Sequence, residues 1–246
     1  MASPRKIDDF EISFTLDGSP SLRIADSNGY VEKMHHSDGA LSESLYIYGE
    51  AMDETLKAGW PLHVLSLGLG LGYNELITAA KAIQHRISPS EAWLYSFEIE
   101  PLLRDSFANW VTNKAGAFTD LYDLILQSLA AGLQIEAGAI RNWLRQAHEL
   151  KRWQIRARFP DEASDVKEMT CMLYDAFSNK MSPELWTEEL ITSQLQTLCA
   201  PGCVFSTYAA TGALNRALRN TGFVKQDRRG FSGKREATFA IRKVSL

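Results

Sequence analysis

A glycine-containing turn between two apolar segments constrains the fold of this chain more than any other feature. Residues 62–75 read Leu-His-Val-Leu-Ser-Leu-Gly-Leu-Gly-Leu-Gly-Tyr-Asn-Glu. The first half is a short apolar run, which is typical of a strand buried on both faces, and a helical pattern begins directly after the glycines. Gly68, Gly70 and Gly72 permit positive φ angles and let a ligand approach the backbone, while the helix N-terminus offers unpaired N–H groups. The segment therefore predicts a strand, a ligand-binding turn and a helix.

The same segment argues against a dinucleotide as the ligand. A dinucleotide fingerprint would have glycine at position 73, where the backbone meets the pyrophosphate, and this chain has Tyr73. A second apolar strand ends in Glu98, a placement suited to binding both hydroxyls of a ribose. A nucleoside without a pyrophosphate, such as S-adenosylmethionine, fits both observations. The alternative is an ordinary βαβ unit in which Glu98 is a solvated strand end.

Length and composition favour one large α/β domain. The chain has 246 residues, 45% of them hydrophobic, and no window approaches the apolar length that crosses a bilayer. Its N-terminus is polar and charged, without an apolar signal region. Three cysteines and five histidines form no metal-ligand spacing. We therefore expect a cytoplasmic protein with reduced thiols and without metal or membrane association.

Residues 1–60 are predicted to form an extension outside the main sheet. Two short alternating segments within 10–25 flank an Asp-Gly-Ser-Pro turn and predict a β-hairpin. Apolar residues at helical spacing predict a helix over 41–56. Polar and aromatic residues around this helix, including His36, Glu43 and Tyr48, are expected to close one side of the cofactor pocket.

Residues 61–246 alternate between strand and helix patterns. This order predicts an α/β fold with a mostly parallel, doubly wound sheet and an antiparallel strand pair at the C-terminal end. That is the architecture of Rossmann-like class I methyltransferases, although a fold alone does not identify a reaction. The predicted strands are 62–67, 93–98, 153–159, 169–174 and 203–208 with the closing pair 222–224 and 236–244, and the predicted helices are 74–85, 101–113, two between 118 and 148, 183–198 and 211–221.

Two carboxylates follow predicted strands in this domain. Asp175 comes directly after the strand 169–174, at the edge where open α/β sheets bind their ligands. A carboxylate there can accept a hydrogen bond or a proton from a reacting group, although it can also simply cap the following loop. Asp161 lies just beyond the third strand and is placed to reach an adenine amino group.

Basic residues cluster in two runs of an otherwise acidic chain, whose formal net charge is −4. One run lies between 141 and 158, and the other is C-terminal. Such runs can mark a face for a polyanion or can be ordinary solvated surfaces. The C-terminal run includes Arg228, Arg229, Lys234 and Arg235.

With these motifs in view, most of the chain resembles the MnmC methyltransferase family, whose members form half of a bacterial tRNA enzyme or a free-standing protein. The run 175–187 and the tail are the most specific parts of the resemblance. The chain departs from the family pattern at Ser182, where Asn is usual, and at Pro160-Asp161, where Gly-Asp is usual. The matching segments are 34–40, 67–75, 96–98, 175–187, 207–210 and 230–236.

The resemblance implies methyl transfer from S-adenosylmethionine to the primary amine of 5-aminomethyl-2-thiouridine at the wobble position, in the tRNA anticodon loop. A separate FAD-dependent oxidase or the upstream wobble-uridine enzyme would supply that amine. We expect Asp175 to accept a hydrogen bond from the amine, while Phe177 and Tyr208 stack on the extruded uracil.

The predicted site residues fall into three groups. The catalytic residues are Asp175 and Phe177. The cofactor contacts are His36, Tyr48, Gly68, Gly70, Gly72, Asn74, Glu75, Glu98, Asp161 and Asp175. The substrate contacts are Tyr208 at the base and Arg228, Arg229, Lys234 and Arg235 at tRNA phosphates.

Other functions remain compatible with the sequence. The chain could methylate a small amine or a protein, or it could be a non-catalytic S-adenosylmethionine-binding partner of a separate oxidase. A polyamine synthase shares the fold and an Asp in a similar place. Such an enzyme would need further acidic residues to hold its substrate, and the loop after Asp175 carries Lys180 instead.

Overall fold

The N-terminal part of the protein forms a small antiparallel sheet followed by a helical segment. The computed structural model describes residues 5–25, 29–233 and 237–244, so Lys234 and Arg235 lie outside the described residues. The first two strands of the sheet agree with the predicted hairpin, and a third strand pairs with the second. The elements are β1 (Phe10–Phe14), β2 (Pro20–Ala25), β3 (Val31–Lys33), α1 (Ala40–Ser44), a π-helical turn over Leu45–Gly49, and α2 (Glu50–Lys57).

A seven-stranded sheet forms the centre of the protein. Its strands are β4 (His63–Leu67), β5 (Trp93–Phe97), β6 (Trp153–Arg156), β7 (Met169–Tyr174), β8 (Cys199–Thr207), β9 (Val224–Lys225) and β10 (Thr238–Arg242). They are ordered β6-β5-β4-β7-β8-β10-β9 across the sheet. The first five run parallel, and β10 is antiparallel to both of its neighbours. This arrangement confirms the predicted doubly wound sheet with its antiparallel closing pair.

Helices cover both faces of the sheet, because successive strand residues point to opposite sides. In β4, Val64 packs into an apolar cluster with the helices between residues 73 and 149, while Leu65 packs into a second cluster with the helices between residues 188 and 220. All six residues of β7 are buried, as expected of a central parallel strand. The helices are α3 (Tyr73–Gln84), α4 (Pro101–Val111), α5 (Thr119–Leu133), α6 (Ala137–Glu149), α7 (Glu188–Leu198) and α8 (Gly212–Asn220).

The register of the three central strands brings their C-terminal ends level. Leu67 at the end of β4 pairs with Phe97 on one side and with Tyr174 on the other. The residues that follow these three ends are Gly68, Glu98 and Asp175, which the sequence singled out separately. The sheet therefore places the glycine turn between the two carboxylates.

The predicted helix over 183–198 was wrong at its start. A 3-10 turn spans Pro183–Trp186, and α7 begins only at Glu188. The side chain of Thr187, and not that of Ser182, caps the helix by accepting a hydrogen bond from the N–H of Leu190 at 3.2 Å. The break exists because Trp186 is buried and donates its indole N–H to the carbonyl of Phe177 at 2.7 Å. A tertiary contact thus overrides the local helix signal.

None of the helices in the described ranges combines the length and apolar character needed to cross a bilayer. Within the same ranges, His, Cys, Asp and Glu side chains form no group of three that could hold a metal ion. The three cysteines are buried and form no disulfide bond with one another.

Candidate active site

A cavity of about 580 Å³ opens at the C-terminal ends of the central strands. The glycine turn forms one side of it, and the segment from β3 through the π-helical turn forms another. Its remaining sides come from the residues that follow β5, β6, β7 and β8. Ten of the predicted site residues line it: His36, Tyr48, Gly68, Gly70, Asn74, Glu98, Asp161, Asp175, Phe177 and Tyr208.

The glycine turn is close-packed against the rest of the site. Gly68 has a φ of 93°, and a Cβ at this position would clash with the carbonyl oxygen of Asp175. Gly72 has a φ of 78°, and a Cβ there would clash with the ring of Phe107. Positive φ at these positions agrees with the sequence prediction. Gly68 and Gly72 are therefore packed closely against other parts of the protein, and Gly68 and Gly70 line the cavity.

Glu98 is held at the cavity by backbone donors. Its Oε2 accepts a hydrogen bond from the N–H of Gly70 at 2.9 Å, and its Oε1 accepts one from the N–H of Glu100 at 2.9 Å. Burial raises the pKa of Glu98, and the two backbone hydrogen bonds oppose that rise. Each oxygen retains capacity to accept a second hydrogen bond, so this carboxylate can receive two hydroxyl donors from a ligand.

Asp175 is fixed by two side chains from opposite sides. The hydroxyl of Tyr48 donates to Oδ1 at 2.5 Å, and Nδ2 of Asn74 donates to Oδ2 at 3.0 Å. Burial raises the pKa of Asp175 well above its ordinary value, and the charge of Glu43 raises it further. The hydrogen bonds from Tyr48 and Asn74 act in the opposite direction by stabilising the carboxylate. The carboxyl group of Asp175 is therefore held in one orientation, and it binds a proton more tightly than an ordinary aspartate does.

Two aromatic side chains lie near this carboxylate. Phe177 follows it by two residues, and Tyr208 donates its hydroxyl to the carbonyl of Ala176 at 2.9 Å. Burial raises the pKa of Tyr208, so its hydroxyl remains a donor. Both rings line the cavity and are only partly buried. The cavity thus offers flat apolar surface next to an oriented acid.

His36 and Asp161 occupy the edges of the cavity. The backbone N–H of His36 donates to Glu43 at 2.7 Å, and its ring nitrogen Nδ1 accepts from the N–H of Asp38 at 3.2 Å. Asp161 is exposed and shares its side of the cavity with Phe159 and Arg158. Both predicted residues thus line the cavity.

Glu75 and Gly72, two predicted cofactor contacts, do not line the cavity. Glu75 is fully buried in the first turn of α3 and accepts a hydrogen bond from the hydroxyl of Ser96 at 2.7 Å. Ser96 in turn accepts a hydrogen bond from the indole N–H of Trp153 at 3.0 Å. Burial raises the pKa of Glu75 to about 7. Its side chain belongs to a polar network beneath the turn.

Arg228 and Arg229, which the sequence predicted at tRNA phosphates, differ from each other in environment. The guanidinium of Arg228 stacks on Tyr46 at 4.0 Å from the ring centroid, donates to the carbonyl of Tyr46 and pairs with Glu50 at 2.9 Å. Only 9% of its side chain is exposed. The structure therefore does not support a phosphate contact for Arg228, because its charge is already engaged inside the protein. Arg229 is exposed.

Sequence reasoning missed Glu32 as part of this site, whereas Glu43 is one of the polar residues that it expected to close the cofactor pocket. Glu32 lines the cavity from β3 and accepts two hydrogen bonds from Ser178, from its N–H at 2.8 Å and from its hydroxyl at 2.7 Å. Glu43 is buried and also lines the cavity. The signal for Glu32 in the sequence is its position just before segment 34–40 of the family resemblance, and this position alone does not predict a contact.

Comparisons with known proteins show which family the chain is similar to. A family model described as S-adenosyl-L-methionine-dependent methyltransferase matches residues 119–243. The chain is 30% identical over 200 residues to the tRNA 5-methylaminomethyl-2-thiouridine biosynthesis bifunctional protein MnmC of Campylobacter hominis, covering 79% of this chain and 27% of that protein. It is 27% identical over 241 residues to the protein of the same name from Chromohalobacter salexigens, covering 92% of this chain and 32% of that protein.

A solved structure shares the whole fold. The crystal structure of MNMC2 from Aquifex aeolicus aligns with a TM-score of 0.67 at 22% identity, covering 96% of this chain and 72% of that one. At this level of identity the likeness concerns the fold. The chain spans between about a quarter and a third of the length of the curated relatives it matches.

Proposed function

Because the chain belongs to a family of S-adenosyl-L-methionine-dependent methyltransferases, we propose that it methylates the amine of 5-aminomethyl-2-thiouridine at the wobble position of tRNA. The observation that carries the proposal is the oriented carboxylate of Asp175, which faces the cavity beside Phe177 and Tyr208. The curated relatives, whose names include tRNA 5-methylaminomethyl-2-thiouridine biosynthesis, support this choice of substrate.

The residues of the cavity fit the methyl donor. Glu98 can receive the two ribose hydroxyls, since both of its oxygens keep a free acceptor position. The side-chain oxygen Oδ1 of Asn74 is buried without a hydrogen-bond partner among the described residues, and it lies in the first turn of the helix after the glycines. An orphaned acceptor of this kind suits the ammonium group of the methionine part. Gly70, Tyr48 and His36 would border the same molecule, and Asp161 would lie at the adenine.

S-adenosyl-L-methionine, when bound, supplies a methyl group that is already activated by its positively charged sulfur. The protein must then align an amine lone pair and exclude water. We assign this task to Asp175, which would accept a hydrogen bond from an amine N–H and take up the proton that the nitrogen loses. Tyr48 and Asn74 would keep the carboxylate from rotating away. The raised pKa of Asp175 suits a proton acceptor.

The aromatic residues would hold the base. A uridine must leave the stack of its neighbours before its substituent can reach a buried group. Phe177 and Tyr208 would lie against the extruded uracil ring, with the aminomethyl group directed at Asp175.

A tRNA substrate would place the reaction in the cytoplasm. The amine would come from a separate FAD-dependent oxidase or from the upstream enzyme.

Nucleoside mass spectrometry tests the proposal directly. The purified chain and S-adenosyl-L-methionine are incubated with tRNA that carries 5-aminomethyl-2-thiouridine and, in parallel, with tRNA that lacks it. We expect the methylaminomethyl nucleoside only in the first reaction, and we expect its loss with Asp175→Ala. Glu149→Gln, an exposed change at the end of α6, is the matched control. Methylation of a free amine or a protein without methylation of the tRNA would contradict the proposed substrate.

A further inference from the structure

We propose that an exposed rim beside the cavity holds the RNA strand next to the acceptor uridine. We define this acceptor rim as Tyr30, Lys33 and Lys180, and the inference rests on the proposed function. Tyr30 is 41% exposed, and both lysines are exposed. Lys33 itself lines the cavity. The rim therefore presents one aromatic ring and two cations at the mouth of the site.

A pair of hydrogen bonds joins the two segments that carry the rim. Tyr30 and Lys33 lie at β3, and Lys180 lies in the loop after β7. Glu32 links the two segments by accepting both hydrogen bonds from Ser178. The ammonium of Lys180 also lies 5.3 Å from the centroid of the Tyr30 ring. The surface is thus continuous although Glu32 and Ser178, which join its two segments, are 146 residues apart in the sequence.

The rim lies at the acceptor end of the cavity. Ser178 follows the catalytic Asp175 by three residues and follows Phe177 directly. The acidic or hydroxyl groups of Asp175, Glu32 and Tyr30 are all close enough to raise the pKa of Tyr208. The nucleotides on either side of an inserted uridine would therefore pass over the rim.

Charge also makes this edge of the cavity suitable for a polyanion. Phosphates would be repelled by the acids that line the cavity, which are Glu32, Glu43, Glu98, Asp161, Asp175 and Glu184. Lys33 and Lys180 form no ion pair within 4.0 Å among the described residues, so their charges are available to a ligand. Arg228, by contrast, has its charge engaged by Tyr46 and Glu50. The rim therefore replaces Arg228 as the surface that meets phosphate.

The chemistry of the rim matches a single-stranded loop. Proteins bind unpaired RNA by stacking bases on aromatic rings and by pairing lysine or arginine with the backbone. Lys33 and Lys180 would contact phosphates, and Tyr30 would stack on a base next to the extruded uridine. A loop whose bases are already unstacked would bind at the lowest cost.

A double charge reversal tests the phosphate contacts. We expect Lys33→Glu with Lys180→Glu to weaken binding of the acceptor tRNA at least twentyfold in filter binding near 0.1 M salt. The slope of log K against log salt should also fall by roughly 1.4, at about 0.7 for each lost phosphate contact on a single strand. The Kd for S-adenosyl-L-methionine, measured by calorimetry, and the rate on free 5-aminomethyl-2-thiouridine nucleoside should stay within twofold.

The matched control carries the same change of charge elsewhere. Lys114 and Lys167 are exposed, and neither side chain makes a hydrogen bond or ion pair with another described residue, so Lys114→Glu with Lys167→Glu should leave tRNA affinity within threefold. Lys33→Gln with Lys180→Gln provides a neutral pair should the reversal impair folding, and thermal unfolding checks each variant.

For the aromatic member of the rim, Tyr30→Leu should raise the KM for tRNA about tenfold, while Tyr30→Phe should keep the KM of the unmodified protein.

The outcomes separate this inference from the proposed function. Equal losses of tRNA affinity in the rim pair and in the control pair would overturn the rim, even if the unmodified protein methylates the tRNA. A tenfold loss with Tyr30→Phe as well would overturn the stacking role of Tyr30. Failure of the unmodified protein to methylate or bind the tRNA would overturn both proposals.

Discussion

Tyr48 donates its hydroxyl to Oδ1 of Asp175 at 2.5 Å, and this hydrogen bond joins the N-terminal helical segment to the end of β7. Tyr48 is 2% exposed, and burial raises its pKa, so it remains a donor at any physiological pH. The bond favours the carboxylate form of Asp175 and opposes the effects of burial and of Glu43. Tyr48 thus contributes to both the orientation and the proton affinity of the proposed base.

Tyr48→Phe should move the pH dependence of methyl transfer. The change keeps the ring and removes the hydrogen-bond donor, so the pKa of Asp175 rises further. As the pH falls, the carboxylate is therefore protonated at a higher pH than in the unmodified protein. The acid limb of kcat should therefore shift to higher pH, and kcat near neutrality should fall roughly tenfold or more, as expected for a lost hydrogen bond to a charged group. Rates measured from pH 6 to 9 check the shift. Tyr46→Phe, outside the cavity, should keep the original profile, and an unmoved acid limb in Tyr48→Phe would contradict the assignment.

Glu98→Gln should weaken cofactor binding. The amide would direct an N–H group at the N–H of either Gly70 or Glu100, and it would offer one acceptor where the carboxylate offers two. We expect the Kd for S-adenosyl-L-methionine to rise at least tenfold in isothermal titration calorimetry. Glu149→Gln is again the control, since its side chain is exposed on α6. An affinity within twofold of the unmodified protein would remove Glu98 from the site.

Gly72→Ala should destabilise the fold. Its Cβ would clash with the ring of Phe107, and its φ of 78° disfavours any side chain. We expect the free energy of unfolding to fall by about 3 kcal/mol, combining overpacking with backbone strain. Urea denaturation measures it. Gly132→Ala in α5 is the matched control, because a Cβ there meets nothing within 4 Å and should gain up to about 1 kcal/mol of helix propensity. Equal unfolding curves for the two variants would contradict this expectation, because they would show that the ring of Phe107 moves aside without an energetic cost.

The sequence predicted the parallel core closely, because each central strand is a continuous apolar run bounded by a turn. Chain order and crossover handedness then bring Gly68, Glu98 and Asp175 to one edge without any knowledge of contacts. β3 could not be predicted in this way. It is three residues long, has no apolar alternation and exists through its pairing with β2.

Contacts between distant segments account for the other differences. Glu32 and Ser178 each look unremarkable alone, and only the folded chain brings the acid to the loop. Arg228 reads as one cation in a basic run until the fold places Tyr46 and Glu50 against it. Glu75 is close in sequence to the glycines, yet the first turn of α3 is covered on all sides and directs this side chain to Ser96. Sequence spacing predicts proximity along the chain but not the direction of a side chain.

The buried Glu75 should make stability fall as the pH rises. Its pKa is raised by burial from 4.5 to about 7, so between these values the unfolded chain loses a proton that the folded protein keeps. The folded state is therefore favoured most below pH 4.5 and loses this advantage progressively up to about pH 7, by on the order of 3 kcal/mol at about 1.4 kcal/mol per pKa unit. Glu75→Gln can still accept the hydrogen bond from Ser96 and has no proton to lose.

Urea denaturation of the two proteins at pH 5, 6, 7 and 8 checks this expectation. The difference in unfolding free energy should grow in favour of Glu75→Gln from pH 5 to pH 7 and then level off, because the folded protein also ionises above that pH. Glu149→Gln, whose acid is exposed, should follow the unmodified protein throughout. A constant difference between Glu75→Gln and the unmodified protein would mean that Glu75 ionises at an ordinary pKa, and the polar network with Ser96 and Trp153 would then have to stabilise a full charge beneath the glycine turn.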